Sequence, residues 1–72
     1  MVFDYSNLKG EIKKKYNSYN DFCKDSGINI FTLKERLRRG MPFKIDEVMK
    51  IMNALSLSIT SETIIDLFFV AK

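Results

Sequence analysis

The side chains best suited to make a binding surface lie in the segment INIFTLKERLRRG. Phe31, Glu35 and Arg38 fall at positions i, i+4 and i+7, a spacing that places them together on one face of a helix. Leu33 and Leu37 are four residues apart on the opposite face. An apolar side chain surrounded by charged ones is typical of protein-binding surfaces, so the chemistry predicted here is recognition.

Catalytic chemistry is not indicated by the residue types present. The sequence has no histidine, which is the commonest general base and the commonest metal ligand. Its one cysteine, Cys23, stands beside apolar residues and is better explained as a packed side chain than as a nucleophile. No glycine-rich phosphate loop is present. We therefore expect a protein that is not an enzyme and that has no cofactor and no metal site.

Length and composition predict one globular domain. The chain has 72 residues, of which 46% are hydrophobic and 29% are charged, as in folded rather than disordered proteins. No apolar run approaches the roughly 20 residues of a membrane span, and a single cysteine suits a reducing compartment. We therefore expect a cytoplasmic protein without a membrane partner. The net charge of +3 permits nucleic-acid binding without requiring it.

Residues that favour helix starts and helix ends predict an all-α fold. Ser18 and Asn29 are favourable N-caps, and Gly27 and Gly40 stand where a helix end needs a left-handed backbone. We predict a single small domain over residues 1–72, with about five short helices and a central helix-turn-helix formed by the second and third. The predicted helices span about 6–16, 18–26, 29–39, 44–55 and 61–68.

The apolar positions predict which helix faces are buried. Leu33 and Leu37 should form the inner face of the third helix, and Ile30, three residues before Leu33, could extend it. The fourth helix carries an apolar stripe that we predict to be core: Ile45, Val48, Met49, Met52 and Leu55. The apolar fifth helix and the residues after it either close the core or dock a second subunit. Core closure is favoured.

The pattern Ser-x-x-x-Phe-Cys-x-x-x-Gly-Ile-Asn-x-x-x-Leu resembles the Cro and repressor family of temperate phages, often called the XRE-type helix-turn-helix. The resemblance covers nearly the whole chain and implies a regulator of a phage genetic switch. In that family the second helix usually begins with a glutamine that touches a phosphate, where this chain has Tyr19. Polar side chains usually read base edges from the positions that Ile30, Phe31 and Glu35 occupy here.

These departures change the expected partner. Reading a base pair in the major groove needs hydrogen-bonding groups, and each good bidentate contact is worth about 1–3 kcal/mol of discrimination. Ile30 and Phe31 offer none, whereas burying either in a protein interface would remove apolar surface worth about 1.5–3 kcal/mol. Phe31 could instead pack on Tyr19 or Phe43. We predict a partner-binding surface that comprises Tyr19, Asp25, Ile30, Phe31, Lys34, Glu35 and Arg38.

In character the chain is most similar to the modulator-of-repression antirepressors of lactococcal temperate phages. That resemblance implies an antirepressor whose recognition helix binds the DNA-binding domain of the lysogenic repressor and blocks operator binding. Glu35 or Asp25 would then pair with basic residues of the repressor. The alternative is a Cro-type repressor that binds operator DNA directly as a dimer. Its candidate phosphate contacts are Ser18, Asn20, Arg36, Arg39 and Lys44.

Overall fold

The computed structural model describes residues 2–71 and contains five α-helices in that range. They are α1 (Ser6–Lys15), α2 (Tyr19–Ser26), α3 (Ile30–Arg39), α4 (Ile45–Leu55) and α5 (Ser61–Phe68). The predicted all-α fold is confirmed, and every helix boundary lies within one residue of its predicted position. Between residues 2 and 71, no helix is both long enough and apolar enough to cross a bilayer.

α2 and α3 are separated by a short turn that local capping residues define. The Ser18 hydroxyl accepts a hydrogen bond from the backbone N–H of Asp21 at 3.2 Å, which starts α2. Gly27 ends α2 with φ at +82°, a conformation that favours glycine. The Asn29 side chain then accepts from the second and third N–H groups of α3, at 2.9 and 3.2 Å. These predicted caps are confirmed, and they give the helix-turn-helix its three-residue connection.

The end of α3 is fixed by a close contact with the N-terminal segment. Gly40 has φ at +67°, and the Phe3 N–H donates to its carbonyl oxygen at 3.0 Å. A Cβ atom at this position would lie 2.4 Å from Val2 Cγ1 and 2.7 Å from the Phe3 carbonyl oxygen. Backbone conformation and space therefore both require glycine at the end of α3.

The two ends of the described chain lie side by side. Phe3 and Ala71 form an isolated antiparallel bridge, and the Asp4 N–H donates to the Val70 carbonyl oxygen at 2.7 Å. The rings of Phe3 and Phe69 meet edge to face, with their centroids 5.7 Å apart. These contacts join the segment before α1 to the segment after α5.

An apolar core lies between the helices. α2 packs against α3 and α4, and α1 packs against α4 and α5. The Phe43 ring lies edge to face with Tyr5 and Phe68, at centroid distances of 5.2 and 5.5 Å. The predicted inner face of α3 is confirmed, because Leu33 and Leu37 are buried. The buried apolar side chains are Tyr5, Leu8, Ile12, Phe22, Cys23, Ile28, Leu33, Leu37, Phe43, Val48, Ile51, Met52, Leu55, Leu67 and Phe68.

The inner face of α4 differs from the predicted stripe. Ile45 is 72% exposed and Met49 is also exposed, so the prediction that both lie in the core is wrong. The buried residues of α4 are Val48, Ile51, Met52 and Leu55. α4 carries apolar residues in two overlapping helical registers, and its packing against α1 and α2 selects the register that includes Ile51.

α5 closes one side of the core. Leu67 and Phe68 are buried and Ile64 is partly buried against the core, which confirms the favoured prediction for this helix. Ile65 and Phe69 are four residues apart and exposed. The terminal apolar segment therefore contributes both core and surface.

Candidate functional site at the outer face of α3

Phe31 projects from the first turn of α3 into solvent. It is 71% exposed, whereas Leu33, two residues later, is fully buried. The Asn29 side chain accepts a hydrogen bond from the Phe31 N–H, which fixes the backbone from which this ring projects. The alternative that Phe31 packs on Tyr19 or Phe43 is therefore wrong. Within residues 2–71 the fold leaves most of this ring open to solvent.

The Phe31 ring borders a shallow surface depression of about 230 Å³. Its second apolar side chain is Met41, which is 48% exposed and follows the glycine turn that ends α3. The Tyr5 hydroxyl donates to the Met41 carbonyl oxygen and so holds this loop in place. Burial raises the pKa of Tyr5, although nearby Arg36 lowers it in part, so the hydroxyl keeps its proton. The lining residues are Phe31, Thr32, Glu35, Arg36, Arg39 and Met41.

Charged groups frame one side of this depression. Arg38 Nη2 donates to both Glu35 carboxylate oxygens, at 2.6 and 3.1 Å, and Arg38 Nε donates to Glu35 Oε2 at 3.0 Å. Arg39 Nε lies 3.5 Å from Glu35 Oε1, an ion-pair distance. The side chains of Arg38 and Arg39 are 65% and 61% exposed, which leaves both open to a partner. Phe31, Glu35 and Arg38 therefore share the outer face, as the helical spacing predicted.

Arg36 differs from the other arginines of α3 because its charge is already engaged. Arg36 Nη1 donates to the Pro42 carbonyl oxygen at 3.0 Å, and Nη2 donates to Glu47 Oε2 at 3.3 Å. Arg36 Nε is buried 3.1 Å from Glu47 Oε1, but it is not aligned to donate a hydrogen bond. The guanidinium also lies over the Phe43 ring, 5.9 Å from its centroid. Arg36 thus ties α3 to α4, contrary to the prediction of a free phosphate contact.

A second depression, of about 350 Å³, lies between α1, the start of α2 and Lys34. It contains Tyr19 and Lys34, which the sequence grouped with Phe31, and two candidate phosphate contacts, Ser18 and Asn20. The remaining lining residues are Ile12, Lys13, Tyr16 and Asn17. Of the predicted partner-binding residues, the structure therefore places Tyr19 and Lys34 at this depression, and Phe31 and Glu35 at the one beside Met41. Ile30 is half-buried and packs against the core. It therefore extends the inner face of α3, as one interpretation expected, and keeps part of its side chain at the surface, as the other required.

Asp25 lies apart from both of these depressions. Its carboxylate accepts a hydrogen bond from the Tyr16 hydroxyl, which also lies 3.0 Å from the Ala54 carbonyl oxygen at the end of α4. The hydrogen bond to Asp25, with burial and the negative charge adding to it, raises the pKa of Tyr16 to about 12. Asp25 borders another depression with residues of α1 and α4, among them Lys15 and Lys50. The structure thus places Asp25 away from Phe31, contrary to the prediction that both belong to one partner-binding surface.

Two surface residues were missed by the sequence analysis. Met41 stands between a helix-ending glycine and Pro42, and an apolar residue so confined to a loop was the available signal. Ile45 was assigned to the core, although it begins α4 directly after the N-cap residue Lys44. Lys44 itself is exposed, and its backbone N–H donates to Glu47 Oε1 at 2.8 Å. Arg39, at the end of α3, and Lys44, the N-cap residue of α4, are thus predicted phosphate contacts that stay exposed.

The fold and this surface define a small all-α domain with a helix-turn-helix whose second helix exposes an aromatic ring among charged groups. Over residues 1–71 the sequence matches the family described as "Protein of unknown function (DUF739)", and the chain belongs to that family. No curated protein matches the sequence. The family assignment carries no activity, so the case for a function depends on the geometry of the α3 surface.

Proposed function

We propose that this protein is a phage antirepressor that acts in the cytoplasm of a bacterial host. It binds the DNA-binding domain of the phage's lysogenic repressor through the outer face of α3 and keeps the repressor from its operators. The observation that carries this proposal is the 71% exposed ring of Phe31 in the first turn of α3. That is the part of a recognition helix that contacts base edges in DNA-binding helix-turn-helix proteins.

An exposed phenylalanine at this place fits a protein partner better than DNA. Direct readout of bases depends on hydrogen bonds, and a phenyl ring could contribute only a contact with a thymine methyl group. The same ring buried in a protein pocket would remove apolar surface worth about 1.5–3 kcal/mol. Met41 borders the same depression and adds a flexible apolar side chain that can adapt to a partner.

The proposed mechanism is steric occlusion. Phe31 and Met41 enter an apolar cleft on the repressor domain, and the rest of this small domain then covers part of the surface that faces the operator. Repressor held in such a complex is removed from the DNA equilibrium by mass action. The genetic switch then turns toward lytic growth.

The test is to mix the purified protein with the DNA-binding domain of the cognate repressor and, separately, with the DNA of the switch region. We expect a stoichiometric protein complex that releases the repressor from its operator. Phe31→Asp should weaken complex formation at least about tenfold while the helical circular dichroism is unchanged. The proposal would be refuted if the wild-type protein, in excess over the repressor domain, neither formed a complex with it nor released it from operator DNA.

A Cro-type repressor is the second candidate, and the exposed cations favour it. Lys34, Arg38, Arg39 and Lys44 are all exposed, and such residues position proteins on DNA through phosphate contacts. In this case the protein binds an inverted repeat as a homodimer, with half-sites about one helical turn apart. Sequence-selective DNA binding by the protein alone, weakening steeply with salt, would establish this function in place of the first.

A further inference from the structure

The charge at the edge of the Phe31 depression is unbalanced toward positive. Arg36 is neutralised by Glu47, with Nε 3.1 Å from Oε1. Glu35 accepts hydrogen bonds from Arg38, and Arg39 reaches the same carboxylate only at 3.5 Å, beyond ordinary hydrogen-bond range. Two exposed guanidinium groups therefore share one carboxylate. Arg39, which lines the depression, is the one whose donors are least used.

This arrangement fits a partner surface of one charge and disfavours the other. A guanidinium group binds a carboxylate through two parallel hydrogen bonds, which gives both attraction and a defined orientation. A basic partner surface would instead face Arg38 and Arg39 at close range, and like charges brought together at an interface suppress binding. A basic partner group would have to compete with Arg38 for the Glu35 carboxylate, which already accepts hydrogen bonds from Arg38.

The apolar and charged features lie within one depression. Phe31, Met41 and Arg39 all line it, so a single partner cleft can contact all three. We infer that the repressor surface that receives Phe31 is an apolar cleft with a carboxylate at its edge, and that this carboxylate pairs with Arg39. The inference rests on the proposed antirepressor function and specifies the chemistry of its partner site.

This partner chemistry replaces the expected pairing of Glu35 or Asp25 with basic residues of the repressor. Asp25 lies apart from Phe31, where its carboxylate accepts a hydrogen bond from Tyr16, and Glu35 is already paired with Arg38. The docking cleft then lies beside the phosphate-binding surface of the repressor. Operator binding is blocked by the bulk of the docked domain and not by mimicry of phosphate charge.

The test measures the affinity of the full-length protein for the repressor's DNA-binding domain by calorimetry, with two charge reversals. Arg39→Glu should weaken binding at least about tenfold, as loss of a close interfacial charge pair does. The matched control is Lys14→Glu, which makes the same charge change at an exposed position on α1 and should alter affinity by less than about threefold. Wild-type affinity should also fall as salt shortens the Debye length from about 10 Å at 0.1 M to about 3 Å at 1 M.

A rescue experiment identifies the carboxylate itself. Each surface Asp and Glu of the repressor domain is changed to Lys, and one such variant should bind the Arg39→Glu protein better than the wild-type protein. If the complex forms but Arg39→Glu leaves its affinity unchanged or tightens it, the inference is overturned while the antirepressor function stands. If wild-type protein forms no complex with the repressor, both fail. If the protein alone binds operator DNA and Arg39→Glu abolishes that binding, the positive edge serves phosphates and the inference is again overturned.

Discussion

The first turns of α3 and α4 expose apolar side chains to nearly the same extent, but in different surroundings. Phe31 is 71% exposed and Ile45 is 72% exposed. Phe31 borders a depression that also contains Met41 and is framed by charged residues of α3. Ile45 follows Lys44, whose backbone is occupied by a local capping contact with Glu47. Exposure alone therefore does not identify a binding residue, and the neighbours of the exposed ring carry the functional argument.

The comparison can be tested directly with the same substitution in both helices. Phe31→Asp should reduce affinity for the repressor domain at least about tenfold, because the lost apolar burial is worth about 1.5–3 kcal/mol. Ile45→Asp should leave affinity within about threefold of wild type, as substitutions outside the energetic centre of an interface usually do. Titration calorimetry with the purified domains measures both.

The two substitutions are well matched as controls for folding. Each places a negative charge in the first turn of a helix, where the helix dipole stabilises it. We expect the midpoint temperature of thermal unfolding of each variant to lie within a few degrees of the wild-type value. Equal losses of affinity would contradict the comparison, because the binding surface would then extend from α3 onto α4.

The next prediction concerns stability and the glycine turn between α3 and α4. Gly40→Ala should lower the free energy of unfolding by about 2–3 kcal/mol, since strained backbone costs about 1–3 kcal/mol and a crowded Cβ adds to it. Gly27→Ala is the matched change, because Gly27 also has a positive φ but no atom within 4 Å of its added Cβ among the described residues. It should cost only about 1 kcal/mol. Urea unfolding of both variants decides, and equal costs would show that the contact with Val2 and Phe3 relaxes freely.

The Arg36–Glu47 pair should contribute less. Its side chains are only 22% and 14% exposed, so we expect a coupling free energy of about 1–2 kcal/mol in a double-mutant cycle of Arg36→Ala and Glu47→Ala. The exposed pair of Lys14 and Glu11 is the control and should couple by less than about 0.5 kcal/mol. A coupling near zero for Arg36 and Glu47 would mean that this ion pair does not help to hold α3 to α4.

The smallest expected effect on stability concerns Tyr16, which follows α1 and whose hydroxyl lies near the C-terminal end of α4. The hydrogen bond to Asp25 raises the pKa of Tyr16 from 10.0 to about 12. A group with a raised folded pKa stabilises the fold fully below its unfolded pKa and loses that contribution as pH rises through the folded value. Tyr16→Phe should therefore be less stable than wild type by about 1 kcal/mol at pH 8. That difference should shrink between about pH 10 and about pH 12.

Asp25→Asn provides the control for this titration, because it keeps an oxygen acceptor and removes the charge. Its stability should depend less on pH over the same interval. If the difference between wild type and Tyr16→Phe is constant across that interval, the hydrogen bond to Asp25 does not stabilise the fold.

Local signals in the sequence predicted much of this fold. Ser18, Asn29, Gly27 and Gly40 act through atoms only a few residues away, so their positions marked helix ends reliably. Leu33 and Leu37 defined one apolar register on α3, and that register is the buried one. The helical spacing also placed Phe31 on the outer face, where it lies.

Contacts between residues far apart in the sequence determine the buried face of α4 and the pairing of Arg36 and Asp25, which the sequence patterns did not predict. α4 offers two apolar registers, and only its packing partners exclude Ile45. Arg36 and Asp25 were assigned to binding surfaces, but their partners are 11 and 9 residues away in the chain. Residues at such separations meet only when the helices pack. Helical periodicity therefore could not predict which charged side chains are already paired within the fold and which remain open to a partner.

The bridge between Phe3 and Ala71 brings the two ends of the described chain together. Because the Asp4 N–H and the Val70 carbonyl are only 2.7 Å apart, a short peptide can join these ends without strain, and a new opening can be placed elsewhere. Ser58 and Ile59, the exposed middle of the loop between α4 and α5, are a suitable opening, since permutation succeeds at exposed connections. A circularly permuted chain would keep α3 whole. A tag fused to its new ends would lie away from Gly40, which Val2 and Phe3 contact in the present chain order.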